Sequence, residues 1–248
     1  MSIIYINPYQ FAAASPTDPD FSNVSLLLHG DGTNGSTTIV DSSPTPKTVT
    51  AVGNAQISTA QSKFGGASIK FDGSGDYLTT PGSSDFSPGS GDFTAETWFY
   101  LDKNPGFSNN FYRSILLSSY SVNGGSATGL TLQLRGTETA YTSVAVGDGD
   151  TAVINSSLTI SQNGWHHIAF TKSGSDCRLF FNGSQVGATA TYPTFTDSSA
   201  NLFYVGRLDL APTLGWDFSG YIDDLRITKG VARYTSNFTR PTAPFPDS

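Results

Sequence analysis

The sequence predicts an all-β protein, a two-sheet sandwich of antiparallel strands, and three observations support this. Short runs rich in aromatic and β-branched residues recur along the chain, separated by turns of Gly, Pro, Asn and Asp. The composition matches: 26 Gly, 13 Pro and 12% aromatic residues but only 13% charged ones suit many short strands joined by tight turns. No stretch carries the apolar period of a long amphipathic helix. The 248 residues allow one large sandwich with a sizeable core, and length alone would equally allow two small domains.

The pattern is plainest from Gly164 to Gly187. Trp165 to Thr171 and Cys177 to Asn182 are two strand-like runs joined by Ser173-Gly174-Ser175-Asp176, and Asn182-Gly183 reverses the chain again. Side chains alternate along a strand, so Ile168 and Phe170 share one face while Trp165, His167 and Ala169 share the other. Neither face is purely polar. This predicts a central strand, with the second sheet on one side and a groove or covering loop on the other.

In chain order, residues 1–20 read as an extended arm. Ile3, Ile4, Tyr5, Ile6, Tyr9 and Phe11 form an apolar patch, and Pro16 and Pro19 separate it from the first strand. Such an arm either completes an edge strand of its own domain or docks on a neighbouring subunit. Strands are expected at Asn23 to His29, Thr48 to Val52, Ala67 to Phe71, Tyr77 to Thr80 and 92–101, the last with large apolar groups on both faces. Residues 102–128 read as a loop-rich rim around Ser114 to Ser118. Leu130 to Arg135, Ala140 to Val146 and Ala152 to Asn155 lead into the hairpin, and Leu202 to Val205 and Tyr221 to Thr228 close the sandwich. Gly230 to Phe238 has short helical character, and Pro241, Pro244 and Pro246 exclude a central strand after it.

A net charge of −7 without a run of Lys or Arg gives no electrostatic footprint for nucleic acid. The single cysteine, Cys177, excludes an intramolecular disulfide and reads as a small buried hydrophobe. The N-terminus lacks a basic start and Asn7-Pro8 interrupts its apolar run, so no cleavable secretory signal is expected. No run is long enough to span a membrane as a helix.

Few residues suggest chemistry. His166 and His167 are adjacent on a strand, point to opposite faces and cannot chelate one metal together. No G-x-S-x-G elbow and no Gly-rich phosphate loop is present. Asp31 in H-G-D-G, Asp72 and Asp76 in F-D-G-S-G-D and Asp223 in I-D-D-L offer hard oxygen ligands suited to calcium, although Asp in Gly-rich turns also caps its own backbone. Asp148 and Asp150 in G-D-G-D read as turn residues. Phe107, Tyr112, Tyr120, Tyr192 and Trp216 are loop aromatics able to stack on sugar rings, and scattered aromatics are equally ordinary on a protein surface.

The run G-W-H-H-I-A-F-T at 164–171, followed by a turn and L-F-F-N-G at 179–183, resembles the hairpin of laminin-G-like jelly rolls in the concanavalin A-like lectin/glucanase superfamily. F-D-G-S-G-D-Y-L at 71–78, D-F-T-A-E-T-W-F-Y at 92–100 and F-S-G-Y-I-D-D-L-R-I at 218–227 extend the resemblance over most of the chain. It implies a two-sheet antiparallel jelly-roll sandwich over 21–240, between the 1–20 arm and a 241–248 C-terminal tail. It does not fix a function, because this fold hosts lectins, glycosidases and structural proteins alike. Glucanase relatives carry two glutamates and an intervening aspartate as E-x-D-x-x-E on one strand, serving as the acid and nucleophile of glycoside hydrolysis. Here the only glutamates, Glu96 and Glu138, belong to no such pattern, so a non-catalytic role is expected. The resemblance also implies a structural calcium, with Asp223 matching the late-strand aspartate and Asp31 and Gly73 as looser candidates.

A second resemblance rests on the joins Y-I-N-P-Y-Q-F-A at 5–12, P-T-D-P-D-F-S-N-V-S-L-L-L-H-G-D-G at 16–32 and A-R-Y-T-S-N-F-T-R-P at 232–241, which look like virion proteins of tailed bacteriophages. It implies a capsid decoration, head-fibre or tail-associated protein, assembled in the host cytoplasm and localised to the virion. The arm would anchor it to a capsid or tail protein, as a homo-oligomer, with host-surface or environmental glycans as ligands. The alternatives are a glycoside hydrolase or lyase with unrecognised acids, and a free bacterial lectin or adhesin.

Overall fold

The protein is described by a computed structural model covering residues 17–102, 112–119, 121–123, 126–137, 140–149, 151–196, 199–208 and 216–248. Arm residues 1–16, Phe107, Tyr120, Glu138 and Asp150 lie outside the described residues. In chain order the strands are β1 (Val24–Leu28), β2 (Thr50–Val52), β3 (Gln56–Ser58), β4 (Ser68–Asp72), β5 (Tyr77–Thr80) and β6 (Phe93–Tyr100). Next come β7 (Tyr112–Ser118), β8 (Ser121–Asn123), β9 (Ser126–Thr128), β10 (Leu130–Gly136), β11 (Tyr141–Asp148) and β12 (Thr151–Ile160). The series ends with β13 (Trp165–Ser173), β14 (Asp176–Phe181), β15 (Ser184–Thr191), β16 (Phe203–Val205) and β17 (Ser219–Lys229). The described helix is confined to two single turns, Phe21–Asn23 and Ser84–Phe86.

Two antiparallel sheets form the sandwich. One runs β15-β14-β13-β6-β17-β4-β3, with β1 added to β17; the other runs β12-β11-β10-β7-β16-β5-β2, and β8 and β9 make a separate hairpin. The core lies between the two sheets. Phe93, Ala95 and Phe99 of β6 and Ile168 and Phe170 of β13 point into it, meeting Leu132, Leu134, Val144, Val146 and Phe203 from the other sheet. Each of these side chains except Ala95 contributes about 1.5–3 kcal/mol on full burial. β13 is central, with β6 on one side and β14 on the other, as its doubly apolar faces predict. Cys177 is fully buried, and burial pushes its thiol up to about 11.

The Asn182-Gly183 reversal takes left-handed φ at both residues, 51° and 83°, the twist that suits a two-residue hairpin turn. Gly183 has a second reason to lack a side chain: a Cβ there would come 2.1 Å from the Phe238 carbonyl oxygen.

That contact belongs to the covering loop on the outer face of the eight-stranded sheet. Residues 231–248 cross this face together with residues 17–23. The short helical character expected for Gly230 to Phe238 is not adopted, because the backbone groups of this stretch bond to the sheet and not to one another. Thr94 Oγ1 donates to Val231 O, Arg233 N donates back to Thr94 Oγ1, and Thr171 Oγ1 donates to Tyr234 O. Tyr234 and Phe238 stack at 3.6 Å and pack against Phe180. Residues 241–248, expected as a tail, are held as well: Phe245 is 4% exposed against Val24 and Leu27, and its N–H donates to Asp224 Oδ2. Asp18 N donates to Ser248 O at 2.9 Å, so the two ends of the described chain meet on this face. No described helix is long and apolar enough to cross a membrane.

Candidate functional site

Three groups of residues could carry chemistry: the roofed outer face of the eight-stranded sheet, an acidic corner at its rim, and the outer face of the seven-stranded sheet.

On the roofed face, Glu96 of β6 is 0% exposed. Arg226 donates to Glu96 Oε1 through Nη2 at 2.7 Å and Nε at 3.0 Å, while Tyr234 OH at 2.9 Å and His167 Nε2 at 3.2 Å donate to Oε2. Arg226 Nη1 continues to Asp18 Oδ2 at 3.0 Å, and Arg233 binds the same carboxylate at 2.8 Å and 3.0 Å. Burial alone would raise the Glu96 pKa, but the Arg226 charge and these hydrogen bonds hold it at about 2. Glu96 is therefore an ionised, fully partnered carboxylate beneath the chain's own C-terminal segment. His166 points the other way, stacking on Phe181 and donating Nε2–H to Ser161 O at 2.8 Å, so the two histidines are separated by the sheet as their spacing predicts.

The acidic corner is built by a bulge. β17 pairs with β6 at Asp223–Trp98 and at Arg226–Glu96, leaving two residues on β17 opposite one on β6, and Asp224 takes φ 47° within it. Consecutive acids are thereby aimed at different partners. Asp224 Oδ1 accepts from His29 Nδ1 at 2.6 Å. Asp223 Oδ2 accepts from the N–H groups of Lys63 at 2.7 Å and Phe64 at 3.1 Å, whereas its Oδ1 is buried without a partner among the described residues. Burial, opposed by those two amides and reinforced by the Asp224 and Asp31 charges, pushes Asp223 up to about 7. Burial alone would lower the His29 pKa, yet Asp224, Asp31 and Asp247 raise it above the usual histidine value. The Asp31 carboxylate lies on the backbone of Gly65, where a Cβ would fall 1.9 Å from Oδ1. His29, Asp31, Pro244, Phe245 and Asp247 line a cavity of about 310 Å³ beside this corner.

Of the residues expected to hold calcium, Asp31 and Asp223 are brought into one electrostatic neighbourhood. Gly73 is not. It packs against Ser219, and Ser219 stands four residues before Asp223 on β17, roughly 13 Å away along a strand. Among the described residues no group of three or more His, Cys, Asp or Glu side chains is placed to hold a metal. A hard cation here would thus depend on the unpartnered Asp223 Oδ1, on Asp31, and on backbone carbonyls and water. His29, Asp224 and Asp247 were not singled out by the sequence. The bulge that turns Asp224 toward His29 has no sequence pattern of its own, although the doubled acid in I-D-D-L marks its place.

The remaining acids form turns. Asp76 accepts from Asn54 N and Asp72 N, Asp72 from Ser74 N, and Asp217 from Gly75 N and, in a bidentate pair at 2.7 and 2.9 Å, from Arg207. Asp148 accepts from Gly129 N, Thr196 N and Tyr192 OH, which fixes one of the expected loop aromatics to the framework. Trp216 is half-buried.

The outer face of the seven-stranded sheet is different in character. Alternation places Tyr77 and Thr79 of β5, Tyr204 of β16, Thr131 and Gln133 of β10 and Ala145 of β11 on it. The Arg207 guanidinium lies 4.4 Å above the Tyr77 ring. Thr131, Gln133, Ala145 and Tyr204 on this face are buried, while Tyr77, Thr79 and Arg207 are part-exposed, and no described glutamate lies on it.

The profile of one protein family, described as the concanavalin A-like lectin/glucanases superfamily, matches residues 72–233, from the turn after β4 to beyond β17. The chain belongs to the concanavalin A-like lectin/glucanase superfamily. No curated protein sequence matches it. Among solved structures, it is similar to domain 4 of AbnA, an extracellular arabinanase from Geobacillus stearothermophilus in complex with arabinotriose. The TM-score is 0.58 and the identity 15%, covering 85% of this chain and 94% of that one. Trypanosoma rangeli sialidase in complex with 2,3-difluorosialic acid matches with TM-score 0.57 and 15% identity over 87% of this chain and 32% of its own. The botulinum neurotoxin serotype D binding domain matches with TM-score 0.56 and 17% identity over 86% and 49%. This chain thus spans about a third of the sialidase and half of the toxin binding domain. At these identities the likeness establishes the concanavalin A-like fold and nothing finer.

Proposed function

We propose that this protein is a non-catalytic, lectin-like display module of a larger assembly: a capsid-decoration, head-fibre or tail-associated protein of a tailed bacteriophage virion. One observation carries this reading. Asp18 and Ser248 meet on the outer face of the eight-stranded sheet, so the described chain both begins and ends on the roofed side. The polar, aromatic face of the seven-stranded sheet looks the opposite way. Attachment and recognition then occupy opposite faces, as a displayed module requires, and the apolar arm Ile3 to Phe11 supplies the attachment. Glu96 is committed to Arg226, His167 and Tyr234 under the C-terminal segment, which supports a structural role for it and not an acid–base one. A glycan ligand is supported by the superfamily and by similarity to an arabinanase domain whose structure holds arabinotriose. Arg207, part-exposed over the Tyr77 ring, is the group on the second face that suits binding of sugar hydroxyls, whereas Tyr204 is buried. Within this reading calcium is structural, held at Asp223 and Asp31 and distant from the glycan face.

The test combines three measurements on homogeneous protein. A glycan array including arabinans and sialylated sugars should return binding that Tyr77→Ala weakens at least tenfold. Association with purified virion shells should require residues 1–16, and polysaccharide turnover should be absent. Turnover abolished by Glu96→Gln would establish a glycosidase instead. Glycan binding with no affinity for shells would establish a free lectin or adhesin.

A further inference from the structure

The roof over the eight-stranded sheet covers its outward side chains one cross-strand row at a time, and it stops one row short. In the row of Thr171, Thr94 and Thr228, the hydroxyls bond to Tyr234 O, Val231 O and the Arg233 guanidinium. In the row of Ala169, Glu96 and Arg226, the carboxylate and guanidinium are held by Tyr234 and Asp18. In the row of His167, Trp98 and Asp223, Phe238 and Phe245 pack T-shaped against His167, Lys63 and Arg240 lie over the Trp98 ring, and the Lys63 and Phe64 amides bind Asp223.

The next row consists of Trp165, Tyr100, Tyr221, Lys70 and Gln56, in register across β13, β6, β17, β4 and β3. Phe99, Ile222, Ile69 and Ile57, one step along their strands, point into the core, so this row faces outward. Among the described residues, the roof makes neither a hydrogen bond nor a ring contact with it. Trp165, Tyr100, Lys70 and Gln56 are part-exposed, and Tyr221, 7% exposed, forms the floor between Tyr100 and Lys70. The ring centroids of Trp165 and Tyr100 are 5.6 Å apart, and those of Tyr100 and Tyr221 5.8 Å apart. The indole N–H, the two phenol hydroxyls, the ammonium and the amide of this row form no side-chain hydrogen bond with a described residue.

We propose that this strip is a saccharide-binding site that takes a linear oligosaccharide laid across the strands. The chemistry of the row selects the occupant. A purely apolar partner would bury five polar heads without partners, at a cost for each. A polyanion such as nucleic acid meets a single lysine in the row and a chain of net charge −7. A sugar chain satisfies both halves of the row, because its C–H faces pack on aromatic rings and its hydroxyls bond to indole, phenol, ammonium and amide groups. Five strands span about 19 Å, at ~4.8 Å per interval, which gives room for several sugar units in line. Tyr100 stands four residues along β6 from Glu96, about 13 Å at ~3.3 Å per residue, so a bound chain leaves the Asp18 end of the roof clear. The inference rests on the lectin-like reading for the class of ligand, and its place on the protein is separate from the Arg207 face.

Titration of the isotope-labelled whole chain with linear arabinan- and glucan-derived oligosaccharides, from trisaccharide to hexasaccharide, tests the proposal at one atom. The indole N–H resonance of Trp165, assigned by its loss in Trp165→Phe, should shift saturably, and affinity should rise with chain length. Tyr100→Ala should weaken the binding seen at Trp165 at least tenfold and Lys70→Ala several-fold, both with a folded spectrum. Arg207→Ala should leave the Trp165 titration unchanged. A Trp165 resonance that no oligosaccharide moves overturns the proposal. Glycan binding that Arg207→Ala removes while Trp165 stays unmoved would keep recognition on the seven-stranded sheet and strike this site alone. A resonance moved by purified virion shells and by no sugar would make the strip a protein interface, which equally overturns it.

Discussion

Asp18 and Arg226 are 208 residues apart in the chain and 3.0 Å apart in the fold. Between them they join the N-terminal end of the described chain, the middle of the eight-stranded sheet and the C-terminal segment, since Arg226 also holds Glu96 and Asp18 also holds Arg233.

Removing one partner of a buried ion pair strands the other charge, at a cost of about 3–5 kcal/mol. Glu96→Gln or Arg226→Met alone should therefore destabilise the protein by that amount in urea unfolding. The double replacement Glu96→Gln with Arg226→Met should cost less than the sum of the two.

Glu96 is held at about 2 in the fold against 4.5 for a free glutamate, and Asp18 is lowered too, by Arg233 and Arg226 against the effect of burial. Depressed folded values mean that the stability from these groups is fully present above about pH 4.5 and is lost as pH falls toward 2. Acid unfolding followed by tryptophan fluorescence should lie in this window and disappear from it in Glu96→Gln. An unchanged acid limb in that variant would contradict the assignment.

Asp223 has the opposite sign. Its folded value of about 7 stands above the ordinary 3.8, so the fold disfavours its charged form and stability falls as pH rises from about 4 to 7. His29, raised by Asp224, Asp31 and Asp247, loses stability in the same direction as pH rises through its own folded value. Asp223→Asn should therefore raise the melting temperature at pH 8 in chelator and reduce the slope, while His29→Gln isolates the histidine's share. Calcium at a hundredfold excess over its dissociation constant should add about 2.7 kcal/mol to the wild type and nothing to Asp223→Asn. Identical melting of the wild type in calcium and in chelator would remove calcium from the description.

Phe245 closes a small cluster with Val24 and Leu27 and lies 3.9 Å below the Arg226 guanidinium. Phe245→Ala should cost about 3–5 kcal/mol, as other large-to-small core changes do. A loss below about 1 kcal/mol in thermal unfolding would mean that the last residues are dispensable to the packed unit.

Gly65 has φ 62°, and the Asp31 carboxylate occupies the space of its missing Cβ. Gly65→Ala should displace Asp31 and cost about 1–3 kcal/mol through backbone strain, with a matching fall in the His29 pKa measured by NMR titration.

The sheets were legible because their strands are apolar on both faces or alternate cleanly: Tyr77 to Thr80 was read at its true bounds, and the 92–101 and hairpin strands within two residues of theirs. β15 was missed because Ser184–Thr191, at the rim, needs no apolar period. Gly230 to Phe238 has short helical character in sequence, but in the fold the Tyr234 and Phe238 rings stack over Phe180 while Thr94 and Thr171 bond the backbone. At the acidic corner Asp31 and Asp223 were recoverable from their turns and motif. Their neighbours were not, because His29 meets Asp224 across 195 residues through a bulge that leaves no periodic trace.

The clamp on Asp18 also decides how the molecule bears tension. A pull on the N-terminal end of the described chain meets, at Asp18, a carboxylate gripped by Arg226 and Arg233. From Arg226 the load passes into β17, an eleven-residue strand bonded to β6, β4 and β1. An interior strand loaded in this way must break several ladders together, whereas an edge strand would peel one bond at a time. Tension applied at Asp18 would thus be carried by an interior strand of the sheet and not by an edge.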